Sequence, residues 1–323
     1  PPVPGDVVAF DSGGALHPDR TFAVLLGRDG TVWIGGDGLL FTVDGRLNRF
    51  DHGDGLPGHA VSCLLEDRHG SLWVGTESGG LARLDRGGLT SWTTEDGLAT
   101  VKIASLVPDH HGGVIAVSFP ACESVHRLAG ERFESFRLPV PGAVESCGWG
   151  ENQVTLVDRR GEWWVPTFHG LLRFPSVTRL EELPGATPMA WYTTADELGD
   201  DRVFRLFEDA RGDIWAAVFA QTVRMVRFDR AAGRFQQYGA ADGVPVDAPS
   251  AFALASDGTL WIGFYGYGVG GVGGGVARYR DGRFRYFPPG DDGPPTGFVS
   301  SLLVDSRGRL WAEIRGKRLA RLD

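Results

Sequence analysis

Two sets of residues in this 323-residue chain recur beside strand ends and could do chemistry together. The first set precedes successive apolar strands: Asp19-Arg20, His59, Lys102, Glu151, Asp201-Arg202 and Asp247. The second follows the next strand along: Asp37, Glu77, Glu123, Phe168-His169, Gln221, Tyr265, Tyr267 and Arg315. Acids, bases and rings gathered at one opening suit a small polar ligand such as a sugar. Aromatic faces stack on its ring, and charged groups read its hydroxyls or carboxylates. The candidate ligand-binding residues are therefore Asp19, Arg20, His59, Lys102, Glu151, His169, Asp201, Arg202, Asp247, Tyr265, Tyr267 and Arg315. The Asp-Arg pairs at 19–20 and 201–202 could equally be ion pairs that hold loop ends.

Catalysis is the competing use of the same groups. A His or Tyr base (His59, His169 or Tyr265) beside Arg20 or Lys102, which would neutralise a carboxylate, suits a lyase for a polysaccharide or cyclic ester. Against it, the eight histidines (17, 52, 59, 69, 110, 111, 126, 169) show no metal-ligand spacing. The chain also has no Gly-x-Ser-x-Gly, no His-Glu-x-x-His and no calcium-loop ligand series. The Gly-rich stretch Phe264 to Gly275 lacks the Lys-Ser/Thr of a phosphate-binding loop and reads as a loop or a flap carrying Tyr265 and Tyr267. The reading is no catalytic residue, no metal and no cofactor.

What positions these residues is a repeat. Leu64 to Thr76 reads as an apolar strand, an Asp-x-x-Gly turn, and a second strand carrying one Trp between apolar neighbours. Asp bonds its own backbone at the turn's start and Gly supplies positive φ at its end, so a tight hairpin is cheap there. The frame recurs seven times, with its Trp slot at 33, 73, 115, 164, 215, 261 and 311, where only Ile115 is not Trp. The mean spacing is about 46 residues, and strand-turn-strand units at such a period predict an all-β, seven-bladed propeller with four antiparallel strands per blade. A second column, the last aromatic of each outer strand (Phe10, Phe50, Trp92, Phe136, Tyr192, Tyr238, Phe287), supports the register. Both columns fill the wedge between neighbouring sheets.

The repeat runs from end to end, so 1–323 is read as a single domain. Residues 6–10 align with an outer strand and the C-terminus stops after a third strand, so the N-terminal strand is expected to close the last blade. The link through Cys147-Gly148-Trp149 is expected above the mouth, and Leu180 to Gly185 on the opposite face as a contact surface or nothing. Net charge is −9 and the pI about 5.4, which argues against a nucleic-acid partner. No apolar run is long enough to insert in a membrane. Cys63 reads as a buried thiol, and Cys122 with Cys147 as a possible disulfide.

The units Gly55 to Asp67 and Gly70 to Leu81 resemble the two-component regulator propeller repeat, strongest in repeats two, six and seven. That resemblance implies an extracytoplasmic sensor propeller of the kind found in bacterial hybrid histidine kinases, periplasmic or extracellular. It implies downstream signalling domains or another propeller as partners, beside the small polar ligand or oligosaccharide that the mouth residues suggest; the motif itself is specific for fold and not for ligand. The second propeller, β-sandwich, membrane span and kinase usual in that family are not in this chain, so it reads as an excised domain or a free-standing member. A protein-interaction scaffold is the third reading.

Overall fold

Strand, Asp-x-x-Gly turn and Trp strand fold as the spacing dictates, and a hydrogen bond ties the two features together. In four blades the turn aspartate accepts from two backbone N–H groups through Oδ1 and from the Trp six residues on through Oδ2. Asp67 accepts from Trp73 Nε1 at 2.8 Å, Asp158 from Trp164 at 2.7 Å, Asp209 from Trp215 at 2.8 Å and Asp305 from Trp311 at 2.9 Å. These bonds are buried, so a lost partner would leave a desolvated polar atom at a cost of about 1–3 kcal/mol. Where Gly27 and Ala255 replace that aspartate, Asp29 and Asp257 two residues on take over the turn's backbone N–H.

The computed structural model describes residues 23–43, 46–109, 112–119, 124–141, 153–219, 223–266, 273–290, 294–315 and 318–322. They form a seven-bladed β-propeller, each blade an antiparallel sheet whose strands, A to D, follow chain order from one edge to the other. Strand A runs Ala23–Leu26, Val61–Glu66, Ile103–Pro108, Leu156–Val157, Val203–Glu208, Pro249–Leu254 and Val299–Val304 in blades 1 to 7. Strand B runs Val32–Gly36, Leu72–Thr76, Val114–Ser118, Trp163–Thr167, Ile214–Val218, Leu260–Phe264 and Leu310–Ile314. Blade 7 shows three strands among the described residues; the expected closing strand at 6–10, with Phe10, lies outside them. So do Cys122, Cys147 and Trp149, while Cys63 is buried.

Both aromatic columns lie where the wedge needs them. The strand B indole stacks over the strand D ring in Trp73–Trp92 (5.6 Å), Trp164–Tyr192 (6.1 Å) and Trp215–Tyr238 (5.4 Å). A strand C arginine lies over the indoles of Trp73, Trp164 and Trp215. Near the axis the wedge narrows, and glycine lets strands touch. A Cβ on Gly35 or Gly263 would stand 2.5 Å from Cγ1 of Val61 or Val299 in the next blade. Serine hydroxyls stitch adjacent A strands: Ser62 Oγ donates to the Ile103 carbonyl (2.6 Å) and Ser250 Oγ to that of Val299 (2.5 Å).

Two departures from the repeat explain each other. Blade 3 has Ile115 at the Trp slot, and blade 4 carries a 3₁₀ segment, Leu180–Gly185, before its outer strand. Leu180 and Leu183 pack into the same cluster as Ile115, Trp163 and Phe174, while Arg127 of blade 3 meets Glu181 at 2.6 Å. The insertion fills the volume that the missing indole leaves, a role the sequence reading did not give it.

Candidate functional site

Four of the D-to-A crossings, those after blades 1, 2, 4 and 5, begin with a capped single turn. In each, an aspartate side chain accepts from the cap N–H: Asp54 at Asp51, Asp96 at Thr93, Asp196 at Thr193 and Asp242 at Gly239. The buried Leu56, Leu98, Leu198 and Val244 then anchor the chain before it enters the next strand A. These crossings share one face with the B-to-C connections, and backbone bonds fix the two in register. The N–H just past strand B donates to the carbonyl just before strand A: Glu77 to Ala60 (2.9 Å), Phe119 to Lys102 (2.9 Å), Phe219 to Arg202 (3.0 Å), Tyr265 to Ala248 (3.0 Å) and Arg315 to Phe298 (2.8 Å).

That register defines a ring of seven positions, four residues beyond each Trp slot: Asp37, Glu77, Phe119, Phe168, Phe219, Tyr265 and Arg315. The ring is sorted by chemistry. Blades 1 and 2 present acids, blades 3 to 6 aromatics, and blade 7 an arginine. Phe119 (39%) and Phe219 (44%) are unusually exposed for their size. Across blades 5 to 7 the rings form an unbroken series: Phe219 to Phe204 (6.4 Å), Phe204 to Tyr265 (6.0 Å) and Tyr265 to Phe298 (4.3 Å, stacked). A guanidinium closes each end, Arg202 over Phe219 at 5.1 Å and Arg315 over Phe298 at 5.3 Å.

The twelve candidate residues fall into three groups. Arg202, Tyr265 and Arg315 belong to this aromatic series. Arg202 pairs with Asp200 through two bonds of 2.9 Å and also donates to the Phe219 carbonyl at 2.6 Å. Burial opposes ionisation of Asp200, but the Arg202 fork and backbone N–H hold its carboxyl below the usual range. The ion pair in blade 5 is thus 200–202; Asp201 instead accepts from the Thr194 N–H at 2.6 Å and shapes the crossing.

His59, Lys102, His169 and Asp247 are on the same face but serve separately. His59, Lys102 and His169 are exposed. The His59 ring lies 5.6 Å from that of His52, and the His169 carbonyl accepts from Trp191 Nε1 at 2.7 Å. Asp247 accepts from the Gly274 N–H at 3.0 Å, and Tyr286 donates to the Gly274 carbonyl at 2.7 Å, pinning the end of the Gly-rich insertion. Asp19, Arg20, Glu151 and Tyr267 lie outside the described residues.

Tyr265 is no flap residue. It is buried at the ring position between Phe204 and Phe298, and the insertion begins beyond it. Phe119 in blade 3 and Phe219 in blade 5, where the sequence points instead to Glu123 and Gln221, are the exposed aromatics of the seven-position ring. Counting four residues past the Trp slot finds them. Among the described residues, no three His, Cys, Asp or Glu side chains gather as a metal site.

Residues 55–78 match the family model described as two component regulator propeller. No curated protein matches the chain in sequence. Among solved structures the chain is similar to a catalytically inactive virginiamycin B lyase from Staphylococcus aureus with quinupristin. Identity is 11%, the TM-score is 0.72, and 98% of this chain and 97% of that one are covered. It is also similar to the extracellular domain of a putative hybrid two component system from B. thetaiotaomicron, at 14% identity and TM-score 0.57, covering 92% of this chain and 52% of that one. PorZ of Porphyromonas gingivalis, a surface component of the type-IX secretion system, matches at 13% identity and TM-score 0.69, with coverage of 94% and 46%. The chain spans about half the length of these last two. At such identities the likeness carries the propeller fold and not the chemistry.

Proposed function

We propose, for a chain that carries a two component regulator propeller repeat at residues 55–78, that it is the ligand-recognition propeller of a sensor. Its ligand is a small polar molecule of carbohydrate type, taken at the face where the B-to-C connections meet the D-to-A crossings. One observation carries the reading: the ring four residues past the Trp slot divides into acids, aromatics and an arginine instead of repeating like the rest of the blade. A structural requirement common to all blades would produce the same residue seven times, as it nearly does with Trp. The Phe219–Phe298 arc offers flat apolar faces, and Asp37, Glu77 and Arg315 offer hydroxyl-reading groups beside them.

Contacts made to several blades at once would bias how the propeller docks to its neighbours, which is how a binding event becomes a signal. A non-cytoplasmic setting fits the extracellular domains to which the fold is similar. The test is an oligosaccharide array followed by calorimetry of any bound glycan to wild type and to Phe219→Ala. The variant is expected to bind at least about tenfold more weakly with an unchanged melting temperature, since Phe219 is exposed. Equal binding by the variant, or an array with no bound glycan, counts against this reading. Release of an unsaturated, ultraviolet-absorbing product would replace it with the lyase reading.

A further inference from the structure

The opposite face carries a second opening, a cleft of about 850 Å³ between blades 1 and 2. Its walls are the A-to-B turns of both blades and the C-to-D turn of blade 2. Three arginines (Arg28, Arg68, Arg86) and His69 line it, with Trp33 as a flat wall. Three acids line it too, but each is engaged within the protein. Asp29 accepts from the Thr31 N–H (2.9 Å), Glu66 from the Arg28 N–H (2.8 Å), and Asp85 from the Gly87 N–H (2.8 Å) while pairing with Arg83 (3.1 Å).

The cations are not matched in the same way. Arg86 has no hydrogen-bond or ionic partner among the described residues. Arg68 donates Nε to His69 Nε2 at 3.1 Å, which puts the imidazole proton on Nδ1 and leaves a further donor. Its guanidinium lies where a Cβ on Gly112 of blade 3 would be, so blade 3 holds it in place.

Arg28 has an internal control. In blade 4, Arg159 makes the same cross-blade clamp: its N–H donates to Glu208 of blade 5 at 2.9 Å, and its guanidinium donates to two carbonyls, Ala210 and Asp209, through both terminal nitrogens. Arg28 donates its N–H to Glu66 in the same manner and its Nε lies 4.0 Å from that carboxylate, but among the described residues its terminal nitrogens give only Nη1, to the Arg68 carbonyl at 3.0 Å. The clamp at blades 1 and 2 thus keeps Nη2 unspent beside a cleft. At blades 4 and 5 the receiving turn has Ala210 where blade 2 has Arg68.

We propose that this cleft is a binding site for a small organic oxyanion, a sulfate, phosphate or carboxylate carried on a body of about disaccharide size. Arginine forks match planar or tetrahedral oxyanions, and the Trp33 face takes the body. Three guanidiniums against three carboxylates leave the lining without net charge, so the anion would be held by directed N–H donors and not by a positive field.

The site stands apart from the mouth and is tested apart from it. Calorimetric titrations at low salt would use glucose 6-phosphate, glucose 6-sulfate and glucuronate, with glucose as the neutral control. Saturable binding of at least one anion is expected, about tenfold or more weaker in Arg86→Gln, unchanged in Phe219→Ala, and absent for glucose. Arg86 makes no internal contact that would unfold the variant. No saturable anion binding, or equal binding by Arg86→Gln and Arg68→Gln, overturns the proposal. Loss of anion binding in Phe219→Ala, with Arg86→Gln unaffected, would place the anion at the mouth and overturn it as well.

Discussion

Replacing His126 should flatten the pH dependence of stability between pH 8 and 5. His126 lies in strand C of blade 3 (Ser124–Ala129), fully buried. Its Nδ1 is 2.8 Å from Ser135 Oγ, and that hydroxyl spends its one proton on the Gly97 carbonyl at 2.7 Å. The imidazole must therefore donate from Nδ1, which leaves Nε2 as a buried acceptor without a partner among the described residues. Protonation there would bury a charge with nothing to receive it, and burial pushes the pKa down from 6.5 to about 4.

The unfolded chain takes up that proton as pH falls through 6.5, whereas the folded chain resists until about 4. Stability from this group is thus complete above about 6.5, declines as pH falls, and levels off below 4. A shift from 6.5 to about 4 corresponds to roughly 3 kcal/mol in the limit and about 2 kcal/mol at pH 5. The perturbation is His126→Leu, because Leu172 occupies the equivalent cross-strand position in blade 4. Urea unfolding of both proteins at pH 8, 6.5 and 5 gives the difference directly, and comparing the two cancels the other titrating groups. A wild-type-minus-variant difference that moves by less than about 0.5 kcal/mol across that range would refute the argument.

Three further outcomes follow from the packing. Trp215→Phe removes the indole donor from Asp209 and should lower unfolding free energy by roughly 1–3 kcal/mol in urea, beyond the loss of ring area; Asp209→Ala should cost a similar amount, and the double variant less than the sum. Gly263→Ala places a Cβ 2.5 Å from Val299 and should lower stability by about 1–3 kcal/mol, with no change in ligand binding. Burial opposes charge on Asp305, yet the Arg309 and Trp311 bonds and two backbone N–H groups hold it down at about 2. Its stabilising part is therefore present above about 3.8 and lost as pH falls toward 2. Asp305→Asn should be less stable at pH 7 and should lose less than wild type over that acid limb in a thermal scan.

The hairpin, the Trp column and the outer-strand ring were legible because each is a local pattern repeated at a fixed spacing. Half of the Asp–Trp link was legible too: the aspartate was seen to start a turn, but its six-residue spacing to Trp was not read as a hydrogen bond. Contacts between blades were the harder part, since they join residues far apart in sequence. Ile115 was seen as an exception, and Leu180 to Gly185 as an insertion, without the packing that makes one complete the other. At the mouth, the polar composition of the loops points to Arg202, Tyr265 and Arg315 but not to Phe119 and Phe219, which only register identifies. The glycines that follow Tyr265 make it read as part of a loop or flap, although its position past strand B already fixes it in the ring.

The proposed seat of the ligand is the aromatic arc of blades 5 to 7. Hydrogen–deuterium exchange with and without a glycan from the array tests it most directly. Slowed exchange is predicted around Arg202 to Phe204, Phe219, Tyr265, Phe298 and Arg315, with the far-face turns unchanged. Protection confined to those turns, or to the outer strands, would contradict the claim.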